Sequence, residues 1–280
     1  MRVTLFGTRG SIAAPGPETT RYGGNTSAVE VQGKDGTILV LDAGTGIRRL
    51  GAQILPTTAR VDILLTHLHM DHIQGLGFFA PLYDPAIDVH IWGPASSVLT
   101  LEARLSRYLS PPLFPVHLRD LPSVVCHEVP RPVFDVGPFR IRTSLVCHPG
   151  PTVGYRIEAE EGVTTYLSDH EPALGLLGGQ WPTPDWISGY DLAVNADLLI
   201  HDAQYTDDEY QGCIGWGHST YRHAFEFADK VGAKLIVPFH HDPSHDDEML
   251  DRLLDFAVKN FKSTCVAVPG REGTALDIGS

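Results

Sequence analysis

Residues 62–72 read Asp-Ile-Leu-Leu-Thr-His-Leu-His-Met-Asp-His. Asp62–Thr66 is a short apolar run of the kind that forms a buried strand. At its end, His67 and His69 are two apart and share a face, because side chains alternate along a strand. Asp71 and His72 follow where the chain turns toward a helix. Imidazole and carboxylate are the donor types that zinc, manganese and iron select. Three histidines and one aspartate within six residues exceed what one tetrahedral ion takes from a single loop. Two ions sharing the loop is the natural reading, and a histidine-rich surface turn is the bland one.

The remaining candidates also sit at strand ends. Asp42 follows Ile38–Leu41, His148 follows Leu145-Val146-Cys147, Asp169 follows Thr164–Ser168, and His240 and His241 follow Leu235–Phe239. Side chains collected at one end of several strands make a typical α/β site. Adjacent strand residues face opposite ways, so only one of His240 and His241 is expected to reach the site. Further strands are expected at Val3–Phe6, Ser27–Val31, Val89–Trp92, Phe139–Ser144, Gly154–Glu158 and Leu198–His201. Helices are expected at 44–52, 73–79, 96–108, 220–231 with a Ser219-Thr220 cap, and 246–259. The longest irregular stretches are 110–116 and 171–189. No repeat or linker breaks the 280 residues, so one domain over 1–280 is expected.

The chain carries 21 Lys+Arg against 34 Asp+Glu, a net charge of −13. Such an acidic balance repels nucleic acid and anionic membranes at long range, although bound metal ions can invert the local field. It makes a nucleic-acid partner an unfavoured expectation. No apolar run approaches the roughly 18 residues that span a bilayer, so a membrane role is not expected. The N-terminus lacks a signal peptide's apolar core, and four scattered cysteines form no C-x-x-C pair. Reduced thiols in a cytoplasm follow as the expectation.

The H-x-H-x-D-H motif after a buried strand, the upstream Leu41-Asp42-Ala43-Gly44, the later His148, the strand-end Asp169 and a final histidine together resemble the metallo-β-lactamase superfamily. The resemblance covers nearly the whole chain. It implies an α/β architecture, a four-layer αβ/βα sandwich with two metals at one edge. It implies that His67, His69 and His148 hold one ion, that Asp71, His72 and His240 hold the other, and that Asp169 bridges them. Asp42 would orient the loop from behind. Thr164–Asp169, Gly154–Ile157, Leu199–Ala203 and Gly217–Thr220 resemble the phosphodiesterase branch, similar to tRNase Z and cyclic-nucleotide phosphodiesterases. That branch implies Asp71, His218 and Asp202 as catalytic residues. The position of Asp202 carries a glutamate in tRNase Z-like enzymes, so the shorter carboxylate predicts a looser pair. The opening Gly7–Ser11 and Arg21–Ser27 look like the bacterial cyclic-nucleotide phosphodiesterase-like branch.

The chemistry this implies is hydrolysis of a small phosphodiester such as a cyclic nucleotide. Two divalent ions, zinc by preference with manganese or iron as options, would neutralise phosphate oxygens and generate a bridging hydroxide. His218, oriented by Asp202, would protonate the leaving alkoxide; a helix-start histidine bonding its own first turn is the competing reading. The alternatives are a tRNA 3′-processing endonuclease, a thioester or lactone hydrolase, and a non-catalytic metal-binding sensor. No Gly/Pro- and Lys-rich segment offers a tRNA-clamping arm. A homodimer is compatible with the sequence. Arg9, Arg21 and Asn25 are phosphate-contact candidates or plain turn residues. Trp181, Trp186 and Trp216 are base-stacking candidates or core anchors. Cys147 is expected to point away from the metals, and His90, His117, His127, His223 and His245 are read as ordinary.

Overall fold

A computed structural model of the chain describes residues 1–131, 133–176, 180–261 and 264–279. Part of the irregular stretch expected at 171–189, residues 177–179, lies outside the described residues. The first sheet contains β1 (Arg2–Gly7), β2 (Ala28–Gln32), β3 (Ile38–Leu41), β4 (Arg60–Leu64), β5 (Asp88–Pro94) and β6 (Val124–Val129). The second contains β7 (Phe134–Val136), β8 (Phe139–Leu145), β9 (Val153–Ala159), β10 (Gly162–Leu167), β11 (Leu198–Asp202), β12 (Leu235–Phe239) and β13 (Val266–Ala267). The last strand, β14 (Ala275–Asp277), returns to the first sheet, so the orders are β14-β1-β2-β3-β4-β5-β6 and β13-β12-β11-β10-β9-β8-β7.

Alternation along the strands sorts the core into three layers. Leu5, Val29, Leu41 and Leu64 from the first sheet meet Tyr155, Ile157, Ile200 and Phe239 from the second. The other face of the first sheet sends Val40, Val61, Ile63 and Ile91 against α1 (Ile47–Gly51), α2 (Met70–Ile73) and α3 (Leu101–Leu105). The far face of the second sheet packs Leu199 and Ile236 against α4 (Tyr190–Ala193), α6 (Tyr221–Val231) and α7 (Asp247–Asn260). The short helix α5 (Asp207–Tyr210) lies between β11 and α6 in sequence. Helix–sheet–sheet–helix is the expected four-layer sandwich. Fully burying a Leu or Phe contributes about 1.5–3 kcal/mol, so the apolar stripe Ala224, Phe225, Phe227, Ala228 and Val231 anchors α6 firmly.

Local chemistry sets the helix ends. Thr220 caps α6 by accepting the His223 N–H, and Asp246 caps α7 by accepting the Met249 N–H at 2.7 Å. The helix expected over 96–108 is confined to Leu101–Leu105, because Thr100 is its cap and Val98 stays 82% exposed. The helix expected at 73–79 is instead α2 followed by a 3-10 turn at Leu76–Phe78. Strands β3 to β6 run parallel, as do β10 to β13. Their carboxyl ends therefore gather on one edge of the sandwich, where ligands bind in open α/β sheets. Among the described residues, no helix is long and apolar enough to cross a membrane.

Candidate metal centre

The loop from β4 into α2 brings His67, His69, Asp71 and His72 to that edge. His148 arrives after β8, Asp169 after β10 and His240 after β12. The structure brings all seven expected ligands together. His67, His69 and His148 form one convergent group, and Asp71, His72 and His240 form another. Asp169 lies between them: Oδ2 is 3.7 Å from His67 Nε2, 3.9 Å from His148 Nε2 and 3.3 Å from His240 Nε2, while Oδ1 is 3.1 Å from His72 Nε2.

Three of the imidazoles, those of His72, His240 and His148, are oriented from behind. Nδ1 of His72 lies 2.8 Å from Asp42 Oδ2, Nδ1 of His240 lies 2.9 Å from Gln204 Oε1, and Nδ1 of His148 lies 2.9 Å from the Gly217 carbonyl. Those oxygens only accept, so Nδ1 carries the hydrogen and each Nε2 presents a lone pair. The lone pairs then face each other: His72 Nε2 is 3.3 Å from His240 Nε2, and His240 Nε2 is 3.1 Å from Asp71 Oδ2. His67 Nε2 is buried with no hydrogen-bond partner. Converging lone pairs and a buried orphan repel one another unless a cation sits among them. The donor set of imidazoles and carboxylates fits divalent zinc, manganese or iron.

Asp42 acts as the expected orienting residue. Its carboxylate accepts from the Thr66 N–H at 2.7 Å, from the Tyr166 hydroxyl at 2.9 Å and from His72. Asp42 (φ 57°) and His240 (φ 59°) both occupy the left-handed region, as does Ser11 (φ 62°), whose N–H donates to Asp71 Oδ2 at 2.7 Å. Among the described residues, three of the four non-glycine residues with positive φ thus hold the site, a concentration of backbone strain typical of functional centres. Gly10 lies against the His240 ring, where an added Cβ would come within 2.3 Å of Nδ1. His241 turns the other way and Nε2 donates to the Gly270 carbonyl at 2.9 Å. Burial pushes the His241 imidazole down to about 3.

His218 stands beside the cluster, its ring stacked on that of His240 at 4.9 Å. Its Nδ1 donates to Asp202 Oδ2 at 2.7 Å. The pair is tight, where the short Asp202 side chain predicted a loose one. Backbone N–H groups of His170, Gln204 and Ser219 also converge on that carboxylate and hold it in place. Burial drives the His218 pKa down, but Asp202, Asp169 and Asp71 outweigh it and raise it to about 9. His218 does not bond the first turn of α6; Thr220 performs that role.

Other expectations resolve differently. Arg9 is fully buried and donates to the carbonyls of Gly23, Asp242 and His245, tying the first loop to the loop beyond His240. Arg21 pairs with Asp251, and Asn25 donates to Glu272 at 2.9 Å. All three are committed to structure and not free for phosphate. Trp181 donates to Glu226 and joins the core under α6, while Trp186 and Trp216 are 79% and 61% exposed. Gln204 was not anticipated from sequence, since an amide after a strand carries no motif. His170 and His201, also unforeseen, form a buried chain from the Ser188 hydroxyl to the Asp202 carbonyl.

The sandwich and its histidine–aspartate edge define a metal-dependent hydrolase. The family profile described as the beta-lactamase superfamily domain matches residues 37–241, and the chain belongs to that superfamily. Among curated relatives, the "Ribonuclease Z" of Haloarcula marismortui is 26% identical over 91% of each chain. The "Ribonuclease BN" of Cronobacter sakazakii is 24% identical over 91% of this chain and 93% of its own. Among solved structures, the metallo-beta-lactamase fold protein YhfI of Bacillus subtilis superposes with a TM-score of 0.71 at 20% identity, covering 99% of both chains. The short form of human tRNase Z gives 0.67 at 22% identity, also over 99% of both.

Proposed function

We propose that this chain, working as one domain over 1–280, is a dinuclear metal-dependent phosphodiesterase that processes the 3′ end of precursor tRNA. Convergence of six ligand side chains around Asp169, with the His218–Asp202 pair beside them, carries the reaction class. The names of the ribonuclease Z and ribonuclease BN relatives support RNA as the substrate. They favour the tRNA-processing alternative over the cyclic-nucleotide substrate expected from sequence, and they lend no support to the expectation that nucleic acid is an unfavoured partner. Net charge speaks to long-range steering, whereas cleavage depends on the local field of the site, which bound ions dominate.

His67, His69 and His148 would hold one ion and Asp71, His72 and His240 the other, with Asp169 shared. When bound, divalent ions polarise phosphoryl oxygens and lower the pKa of water. The chain's own residues supply the rest. Asp42, Gln204 and Gly217 keep imidazole hydrogens away from the centre. His218, aimed by Asp202, delivers a proton to the departing ribose 3′ oxygen. Ile214 and Trp216, exposed on the loop preceding His218, give unstacked bases an apolar surface. The acidic balance of 21 against 34 favours a second reading, a small free phosphodiester.

The test offers metal-loaded protein a precursor tRNA with a 3′ extension, cyclic AMP, bis-p-nitrophenyl phosphate and a thioester. Release of the 3′ extension supports the ribonuclease reading. Hydrolysis of cyclic AMP with the tRNA untouched moves the function to the second reading. Cleavage of the thioester alone, or of nothing, overturns both.

A further inference from the structure

Glu171 lies two residues beyond Asp169, is fully buried, and belongs to neither ligand group. Its backbone N–H donates to the carbonyl of Cys147, the residue before His148, at 2.9 Å. Its carboxylate takes three donors. Oε2 accepts the Gly217 N–H at 2.6 Å, and Oε1 accepts the Gly215 N–H at 2.9 Å and the Tyr210 hydroxyl at 2.8 Å. Gly217 in turn presents its carbonyl to His148 Nδ1 at 2.9 Å. The approach is so close that a Cβ on Gly217, whose φ is +91°, would lie 2.3 Å from that nitrogen. The next residue is His218.

Glu171 therefore grips His148 from both sides, through Cys147 and through Gly217. Both carboxylate oxygens must accept, because each faces a backbone N–H. A carboxylate meets that demand, and an amide, with one accepting and one donating end, cannot. The fully buried acid would be costly as mere filling.

We infer that Glu171 is the positioning residue of the His67–His69–His148 site: it fixes the Gly217 carbonyl that sets the tautomer and aim of His148. This rests on the metal-centre reading above, and goes beyond it by assigning the group that holds one half of the centre in register with the His218 loop. Residues that orient a ligand imidazole typically govern roughly 10–100-fold in metal affinity.

The experiment is a calorimetric zinc titration of metal-free wild type, Glu171→Gln, Glu171→Asp and Tyr210→Phe, with thermal unfolding of each. Glu171→Gln should weaken one zinc site by about 10–100-fold and leave the other near wild type. Glu171→Asp, still able to accept at both oxygens, should be intermediate. Tyr210→Phe removes a donor that does not touch Gly217, so it should lower the unfolding temperature and keep zinc affinity. Wild-type zinc affinity in Glu171→Gln, or an equal loss in Tyr210→Phe, overturns the assignment. If Glu171→Gln does not fold, Glu171→Asp decides: wild-type affinity there overturns it. Zinc binding needs no turnover. A wild type that binds two zinc ions but cleaves no phosphodiester would sink the proposed function and leave this assignment standing.

Discussion

His218 Nδ1 donates to Asp202 Oδ2 at 2.7 Å, and three backbone N–H groups hold the same carboxylate from other sides. The arrangement leaves Nε2 of His218 as the exchangeable proton site next to the ligand cluster. A ribose 3′ oxygen needs a proton as it leaves, whereas p-nitrophenolate does not. His218→Ala should lose about 10²–10⁴-fold on precursor tRNA, keep most of its p-nitrophenyl diester activity and bind both ions. Asp202→Asn should show a milder form of the same split, since it acts through the imidazole. Equal slowing of both substrates, or loss of an ion, would make His218 a ligand.

Among the described residues, Asp169 is the one carboxylate within 4 Å of imidazole nitrogens from both ligand groups. Asp169→Ala should lose one of two bound zinc equivalents and nearly all activity. Elemental analysis of the purified variant measures this directly, and two retained equivalents would remove Asp169 from the bridging role.

Much of this architecture was legible because the two-sided burial of central strands writes itself as continuous apolar runs. Ile38–Leu41 and Leu235–Phe239 match the expected bounds residue for residue. Strand β6, Val-Val-Cys-His-Glu-Val, escaped notice because it borders one sheet and most of its side chains are only half-buried or exposed. Strands β13 and β14 are too short to show a period. The ligands were legible because histidine at i, i+2 and i+5 is rare without chemistry. Gln204 and Glu171 were not, because each acts through one hydrogen-bonded neighbour that only the folded backbone supplies. Glu171, two residues past a strand-end ligand and facing a Gly-x-Gly segment at 215–217, carried the faintest signal of the two.

The neighbours His240 and His241 offer a contrast within one dipeptide. His240 faces Asp71, His72 and Asp169, and His241 faces the Gly270 carbonyl. His240→Ala should abolish activity and weaken zinc binding. His241→Ala should lower stability by a cavity's worth while the remaining folded protein keeps activity per zinc bound. Equal loss of activity per folded molecule in both variants contradicts the division.

Trp216 is 61% exposed two residues before His218. Stacking a base on an aromatic side chain is worth about 1–3 kcal/mol. Trp216→Ala should raise KM for precursor tRNA by roughly tenfold while leaving the p-nitrophenyl diester unchanged. Steady-state kinetics on both substrates reads this out, and an unchanged KM for the tRNA removes Trp216 from substrate binding.

Acid should unfold the metal-free protein in a window set by its buried neutral histidines. Burial lowers His201 and His223 to about 4 and His241 to about 3. Unfolded histidine titrates near 6.5, so below that pH the unfolded chain binds protons that the native chain refuses. Stability from these groups is complete above about 6.5 and is lost as pH falls toward about 4. Each displaced unit is worth roughly 1.4 kcal/mol, so each histidine withdraws on the order of a few kcal/mol. Urea midpoints should therefore drop sharply between pH 7.5 and 4.5. His201→Gln separates this cause from the titration of carboxylates. Glutamine can still accept from His170 and donate to the Asp202 carbonyl, but it carries no proton to gain. The variant should lose less stability than wild type over the same pH interval. A variant that falls as steeply as wild type would assign acid unfolding to other groups.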